Sequence, residues 1–257
     1  MTEDLLGVAR SAALEAGRVL LARRGRVLTV DTKSSATDPV TSADKAAQQA
    51  IASVITDGRP DDALTGEEGL RRSGTSGYRW IVDPLDGTVN YLYGRDEWAV
   101  SVAVRDSSGA VAGVVHAPAL GATYTAARGQ GAWRQDRRLA VRATQDLSAA
   151  IIGTGFSYTA DGRRSQAAVL SRLLPRIADI RRGGSAALDL AAVASGTLDA
   201  FYEDDLEEWD WAAGALLASE AGASVGPLPG PDGRSGIVAA APGLRDPLME
   251  LLGSPCR

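Results

Sequence analysis

The sequence predicts a mixed α/β protein of the α+β kind, and three observations point there. Residues 98–104, 111–116 and 122–127 are apolar segments joined by the turn sequences RDSSG and PALG, the pattern of an antiparallel meander. From about residue 140 onward, strand-like and helix-like segments alternate, which predicts a largely parallel sheet covered by helices. The 257 residues, 45% of them hydrophobic, supply core for one large domain or two tightly packed halves. No linker separates independent domains, so residues 1–257 are expected to form one domain with halves meeting near residue 140.

Taken in order, the chain opens with an amphipathic helix, with Leu5, Val8, Ala12, Ala16 and Val19 on one face and Arg10, Glu15 and Arg18 interrupting it. A short strand, RVLTVD, and a polar loop, TKSSATDPVTSAD, lead to a helix, KAAQQAIASVI, whose inner side carries Ile51, Val54 and Ile55. GEEG (66–69) falls in a loop before the serine- and glycine-rich RRSGTSG, and RWIV (79–82) reads as a buried strand end. In the second half AAIIGTGF is a strand and SQAAVLSRLLPRI a helix. SAALDLAAVASG is a helix with Ser185 as N-cap and Gly196 at its end. LDAFYE, WDWAAGALLASEAG, GIVAAAP and DPLMELLG continue as strand, helix, strand and helix, with GPLPGPDGRSG (226–236) as a turn-rich surface loop.

Composition removes several classes of function. A net charge of -5 argues against a nucleic-acid surface. One cysteine, Cys256, excludes a disulfide framework, a cysteine-based zinc site and a CxxC redox pair within one chain. One histidine, His116, excludes multi-histidine metal sites. No segment approaches the roughly 18–20 apolar residues needed to span a membrane, and the N-terminus does not read as a signal peptide. A soluble cytoplasmic protein is the expectation. A P-loop is absent, the EF-hand spacing fails at Leu85 and Gly94, and Cys256 lies outside any phosphatase loop. GTGF and RGQGAW are only partial glycine fingerprints.

The stretch WIVDPLDGTVNY (80–91) carries the chemistry. Asp83 and Asp86 flank Pro-Leu at a strand end, where two like charges repel and solvate poorly. A hard cation resolves the conflict, because magnesium takes carboxylate, water and phosphate oxygens. Pro84 stiffens the turn, the Leu85 carbonyl offers another oxygen, and Gly87 permits close approach of a ligand. A helix starting near Thr88 would present free N–H groups to phosphate. A capped helix N-terminus explains DPLDG alone equally well. Three further acidic segments have ordinary explanations one by one. Glu67 and Glu68 could be an exposed acidic loop, Asp38 and Asp44 around Thr41 could be N-caps, and Asp210 between two tryptophans could be an acidic first helical turn.

Together and in this order, DPVTSAD, GEE, DPLDGTVNY, GGSAALDLAAVASGTLDAFYE and WDWAAG…SEAG resemble the inositol monophosphatase family of lithium-sensitive, magnesium-dependent phosphatases. The resemblance covers roughly residues 30–225, with Ala223 in place of a glycine common in the family. It implies the layered αβαβα sugar-phosphatase fold, a homodimer, and hydrolysis of a phosphate monoester by a metal-activated water. It further implies two to three magnesium ions: one on Glu67, Asp83 and the Leu85 carbonyl, one on Asp83, Asp86 and Asp210, and a weaker third sharing Glu67. Thr88 backed by Asp44 would orient the attacking water and help deprotonate it, with Glu67 completing the catalytic set. Asp86 and the Gly87 and Thr88 N–H groups would contact the phosphate. Gly184, Ser185 and Ala186 would line the alcohol side, and Glu203 would bind ring hydroxyls of a polyol, inositol monophosphate foremost. Glu203 also belongs to the acidic run EDDLEE, which reads otherwise as a solvated edge. Lys33 resembles a family lysine near the metal loop, His116 reads as structural, and Arg181 and Arg182 read as a basic rim or as solvated side chains. Histidinol-phosphate, bisphosphate-nucleotide and fructose-bisphosphate phosphatases on the same scaffold are the rival enzymes, and a regulatory binding protein is the rival outside catalysis.

Overall fold

The computed structural model describes residues 2–25, 30–32, 39–229 and 235–253. Lys33, Asp38, Cys256 and the first residues of the RVLTVD strand lie outside these. Helix α1 (Thr2–Arg23) is followed by a small ladder of β1 (Val30–Thr32) and β2 (Pro39–Thr41), then α2 (Ser42–Gly58). Strands β3 (Ala63–Gly66), β4 (Arg71–Arg72) and β5 (Arg79–Asp86) precede the single-turn α3 (Thr88–Leu92). The meander is β6 (Ala99–Asp106), β7 (Gly109–Ala117) and β8 (Ala122–Ala127), prolonged by β9 (Ala132–Arg134) and β10 (Arg137–Arg138). These eight strands form one sheet in the order β10-β9-β8-β7-β6-β5-β3-β4. The second half runs β11 (Ile151–Thr154), α4 (Ala160–Leu173), β12 (Asp179–Arg181), α5 (Ala186–Ala194), β13 (Ala200–Asp204), α6 (Glu208–Glu220), β14 (Ser224–Pro229), β15 (Ser235–Ala240) and α7 (Arg245–Gly253). Its five strands form a second sheet, β12-β11-β13-β15-β14.

Side-chain alternation stacks these elements into five layers. Along β5 and β6, Trp80, Val82, Val100 and Val102 face one way and meet Leu5, Ala9, Ala16 and Leu20 of α1 and Ala47, Ile51 and Ile55 of α2. Ile81, Ala99 and Ala103 face the other way and meet Ala187 and Ala191 of α5 and Ala213 and Leu217 of α6. On their far side, Ala186, Leu190 and Val193 of α5 and Ala218 of α6 meet Phe201, Ile237 and Ala239 of the second sheet. The outer face of that sheet, with Ile152, Tyr202 and Val238, is covered by Leu173 of α4 and Leu248 of α7. The order is helices, sheet, helices, sheet, helices, the αβαβα arrangement expected. Small residues set the spacing: a Cβ on Gly113 of β7 would lie 3.0 Å from the Ala213 Cα of α6. The α1 face differs slightly from the expected one, since Ala9, Ala13 and Leu20 are buried where Val8 and Val19 are half-buried.

Two expectations are corrected. The second sheet is mixed, not largely parallel: β11 runs parallel to β12 and β13, while β15 is antiparallel to both β13 and β14. The antiparallel half comes from β14, whose sequence SVGPLP falls partly in the segment read as a surface loop. A strand with two prolines is tolerated at a sheet edge, where it lacks a second ladder partner, and β14 is the edge. Helix α4 starts at Ala160, five residues before its apolar periodicity does, because Thr159 caps it by accepting the Gly162 N–H at 3.1 Å. Ser185 is the N-cap of α5 and Gly196 follows its end with φ 69°, as the sequence predicted.

Candidate active site

The ends of β5 and β13 and the N-termini of α5 and α6 meet around a cleft of about 420 Å³. Glu67, Asp83, Leu85, Asp86, Gly87, Thr88, Gly184, Ala186, Glu203 and Asp210 all line it. Ser185 and Asp44 stand just behind, each through a side-chain bond to a lining residue.

The backbone of β5 explains how Asp83 and Asp86 share one cleft. Residues three apart in a regular strand point to opposite faces. Here Asp83 pairs with Ser101 and Asp86 with Ala99, so three steps on β5 match two on β6, and the bulge at Pro84–Leu85 returns Asp86 to the face of Asp83. Leu85 buries its side chain in the core beneath α1 and α2, which leaves its backbone for the cleft. The Leu85 N–H donates to Asp83 Oδ1 at 2.8 Å. Gly87 has φ 94°, and a Cβ there would lie 3.0 Å from the Glu97 carbonyl. Neither aspartate caps α3. Asp86 instead reaches α5, where its Oδ2 accepts the Ser185 hydroxyl at 2.6 Å and the Ala187 N–H at 2.7 Å.

Asp210, in the first turn of α6, accepts the Glu207 N–H at 2.8 Å, so the capping explanation and the cleft position both hold for it. The start of α6 is moored to the first sheet. Glu208 pairs with Arg79 at 2.8 Å and with Arg105, and Ser101 Oγ donates to the Trp209 carbonyl at 3.2 Å. Fully buried Asp44 accepts from Thr88 Oγ1 at 3.2 Å, and that hydroxyl also lies 3.0 Å from the Leu85 carbonyl oxygen.

The electrostatics follow from burying several acids close together. Burial pushes Asp83 well above the ordinary carboxylate range, and the charges of Glu67, Asp86 and Asp210 push the same way. Burial likewise raises Asp210, with Glu67 and Asp86 adding to it. Asp86 is pushed to about 6 by burial, against the pull of its Ser185 and Ala187 donors. Glu203 is raised by burial and then by Asp210, Asp86 and Asp189.

A divalent cation would offset the mutual repulsion that adds to burial in these shifts. Among the described residues no three acidic, histidine or cysteine side chains enclose an ion by themselves. Magnesium does not require such a cage, since it retains water and is held by one or two carboxylates with phosphate. An all-oxygen donor set with no histidine or cysteine in the cleft fits a hard cation.

Several cleft residues escaped the sequence reading. Gly155, from the discounted GTGF, lies against Glu203: a Cβ there would come 2.0 Å from its Oε1. The following loop adds Phe156, Ser157, Tyr158 and Thr159. Ser157 Oγ donates to Asp205 Oδ2 at 2.9 Å, and Gln166 of α4 holds the Ser157 N–H at 2.8 Å. Asp189, pushed to about 7 by burial and the Asp86 charge, sits behind Asp86. Its signal was one acid on the apolar helix SAALDL. Arg182 lines the cleft, whereas Arg181 pairs with Asp179 at 2.5 Å outside it. RGQG is a turn held by Glu220, which accepts the Gly129 and Gly131 N–H groups at 2.7 and 2.8 Å. His116 is structural as expected: it bonds Thr123 Oγ1 at 3.0 Å and packs on Gly17 of α1.

Fold and site together define an enzyme of the phosphatase class. Residues 1–250 match the pattern of the inositol monophosphatase family. An inositol-1-monophosphatase of Mycobacterium leprae is 43% identical over 97% of this chain and 94% of its own. A protein named Nus factor SuhB from Pseudomonas aeruginosa is 40% identical over 89% of this chain and 87% of its own. The solved structure of extragenic suppressor protein suhB from Bartonella henselae superposes with TM-score 0.91 at 38% identity, covering 97% of this chain and 98% of that one. The chain belongs to the inositol monophosphatase family.

Proposed function

We propose that this chain hydrolyses inositol monophosphate to inositol and phosphate with two to three magnesium ions. The observation that carries the reading is the meeting of Glu67, Asp83, Asp86 and Asp210 in one cleft that also holds Thr88 and Glu203. Glu67, Asp83, the Leu85 carbonyl, Asp86 and Asp210 are the groups that would hold the ions. When bound, magnesium offsets the converged negative charge, lowers the pKa of water and stabilises the leaving oxygen.

The chain's own groups do the positioning. The Thr88 hydroxyl has one proton and two acceptors within reach, Asp44 Oδ1 behind it and the Leu85 carbonyl beside it. With that proton donated to Asp44, an Oγ1 lone pair is left to accept a hydrogen bond from the attacking water, which orients it. The N–H groups of Gly87 and Thr88 receive phosphate oxygens. Glu203 accepts hydroxyls on the alcohol side, beside Gly184, Ser185 and Ala186. Lithium inhibition, a homodimer and a cytoplasmic location are further parts of the proposal, resting on the family resemblance; no described helix is long and apolar enough to cross a membrane.

The deciding experiment is phosphate release by the purified chain, with magnesium and with chelator, from inositol monophosphate, histidinol phosphate, fructose bisphosphate and adenosine bisphosphate. Inositol monophosphate is expected to lead, and activity to vanish with chelator. Full activity in chelator removes the metal reading, and a stronger rate on another ester replaces the substrate. The name of the Pseudomonas aeruginosa relative favours a second reading, a regulatory binding protein. No release from any ester would put that reading first.

A further inference from the structure

From outside the site, Gln48 of α2 holds the GEEG turn. Its Oε1 accepts the Glu68 N–H at 3.1 Å, and its Nε2 donates to the Glu68 carbonyl at 3.2 Å. Both backbone groups of the residue after Glu67 are therefore paired to a single buried amide, as a neighbouring strand would pair them. Gly66 makes this possible: a Cβ there would lie 2.5 Å from Gln48 Oε1. The rest of the turn is held by Glu67 N–H to the Val82 carbonyl at 3.2 Å and Gly66 N–H to the Leu70 carbonyl at 2.8 Å. Gln48 lies one helical turn after Asp44, on the same buried face of α2. One helix face thus meets Thr88 through one residue and the Glu67 turn through the other.

We infer that Gln48 is a positioning residue that sets Glu67 for metal binding; this rests on the proposed role of Glu67 as a ligand. An amide tip suits the place, because it brings one donor and one acceptor side by side. A carboxylate has no donor when ionised, and a hydrocarbon has neither.

The test is calorimetric titration of magnesium alone into the full chain, unmutated and as Gln48→Met and Gln49→Met, the second being on the exposed face of the same helix. Gln48→Met keeps the shape and removes both bonds, and it is expected to weaken magnesium binding about 10- to 100-fold, the usual effect of losing an outer partner of a ligand. Gln49→Met is expected to change it by less than about twofold. At saturating magnesium the Gln48→Met rate on a phosphate monoester should recover, since the substrate contacts remain. A role in folding alone would lower the melting temperature and leave the magnesium constant unmoved. Hydrogen exchange on the unmutated chain gives an independent reading: the Glu68 amide should exchange slowly. A magnesium isotherm unchanged in Gln48→Met, an equal loss in Gln49→Met, or a fast-exchanging Glu68 amide each overturns the inference. If Gln48→Met does not fold, the Glu68 exchange rate decides. An unmutated chain that neither binds magnesium nor releases phosphate removes the phosphatase reading, and this inference with it.

Discussion

Gly155 and Glu203 show how one missing side chain makes room for another. The Glu203 carboxylate occupies the space where a Cβ on residue 155 would be, with all three of its end atoms within 2.1 Å of that point. Gly155→Ala should therefore swing the flexible Glu203 tip away rather than unfold the protein. Glu203→Ala removes the same contact directly. Losing a hydrogen bond to a charged group costs about 1.5–3 kcal/mol, so both variants are expected to lower kcat/KM on inositol monophosphate by about 10- to 150-fold. A simple aryl phosphate, which presents no ring hydroxyls, should be affected much less. Paired kinetics on the two substrates, with circular dichroism to confirm folding, make the comparison. Equal damage on both substrates would mean that Glu203 is structural or tied to the metal.

Helices α5 and α6 form the layer on which both sheets rest, and each also delivers part of the site. The N-terminus of α5 holds Asp86 and the first turn of α6 carries Asp210. Their separation is set where Gly214 of α6 meets Leu190 of α5: a Cβ on Gly214 would lie 2.7 Å from the Leu190 Cβ. In an exposed helix, glycine to alanine stabilises by about 0.5–1 kcal/mol. Here overpacking costs about 1–3 kcal/mol and reverses the sign. Gly214→Ala is expected to lower the melting temperature by about 2–6 °C and to raise the magnesium concentration needed for half activity. A more stable Gly214→Ala protein would show that this contact does not set the helix spacing.

Across the protein, the buried acids in and behind the cleft make stability depend on pH, and on metal if they hold it as proposed. Asp86 is raised from 3.8 to about 6 and Asp189 from 3.8 to about 7, with Asp83, Asp210 and Glu203 raised as well. An acid whose folded pKa exceeds its unfolded one binds more protons when folded. Its contribution is therefore complete below the unfolded value and is lost as pH rises through the folded one. Without metal the protein should lose stability from about pH 4 to about pH 7 on this account. On the proposed metal reading magnesium would bind the deprotonated carboxylates, so the rise in melting temperature it produces should grow over the same range. Thermal melts with magnesium and with chelator between about pH 5 and 8 read this difference directly. A magnesium increment that stays flat with pH would count against the ions residing on these carboxylates.

Much of this protein can be read from residue order alone. The apolar periods mark the helices and the meander, Ser185 and Gly196 mark the ends of α5, and the acidic motifs in sequence mark the family and the lining acids Glu67, Asp83, Asp86, Glu203 and Asp210, though not Asp204, Asp205 and Glu207 beside them. These are local patterns, and local physics writes them into neighbouring residues. What the order of residues leaves open are relations between distant segments. Nothing near Asp83 announces that β6 pairs with a one-residue slip, yet that bulge is what turns Asp83 and Asp86 to the same side. Nothing in SVGPLP announces that a sheet edge will accept its prolines and make the second sheet mixed. Gln48, Gly155 and Asp189 look unremarkable in their own segments and acquire their places from the Glu67 turn, Glu203 and Asp86. Pairing register and packing across layers depend on contacts between residues far apart in the chain, so only the folded structure contains them.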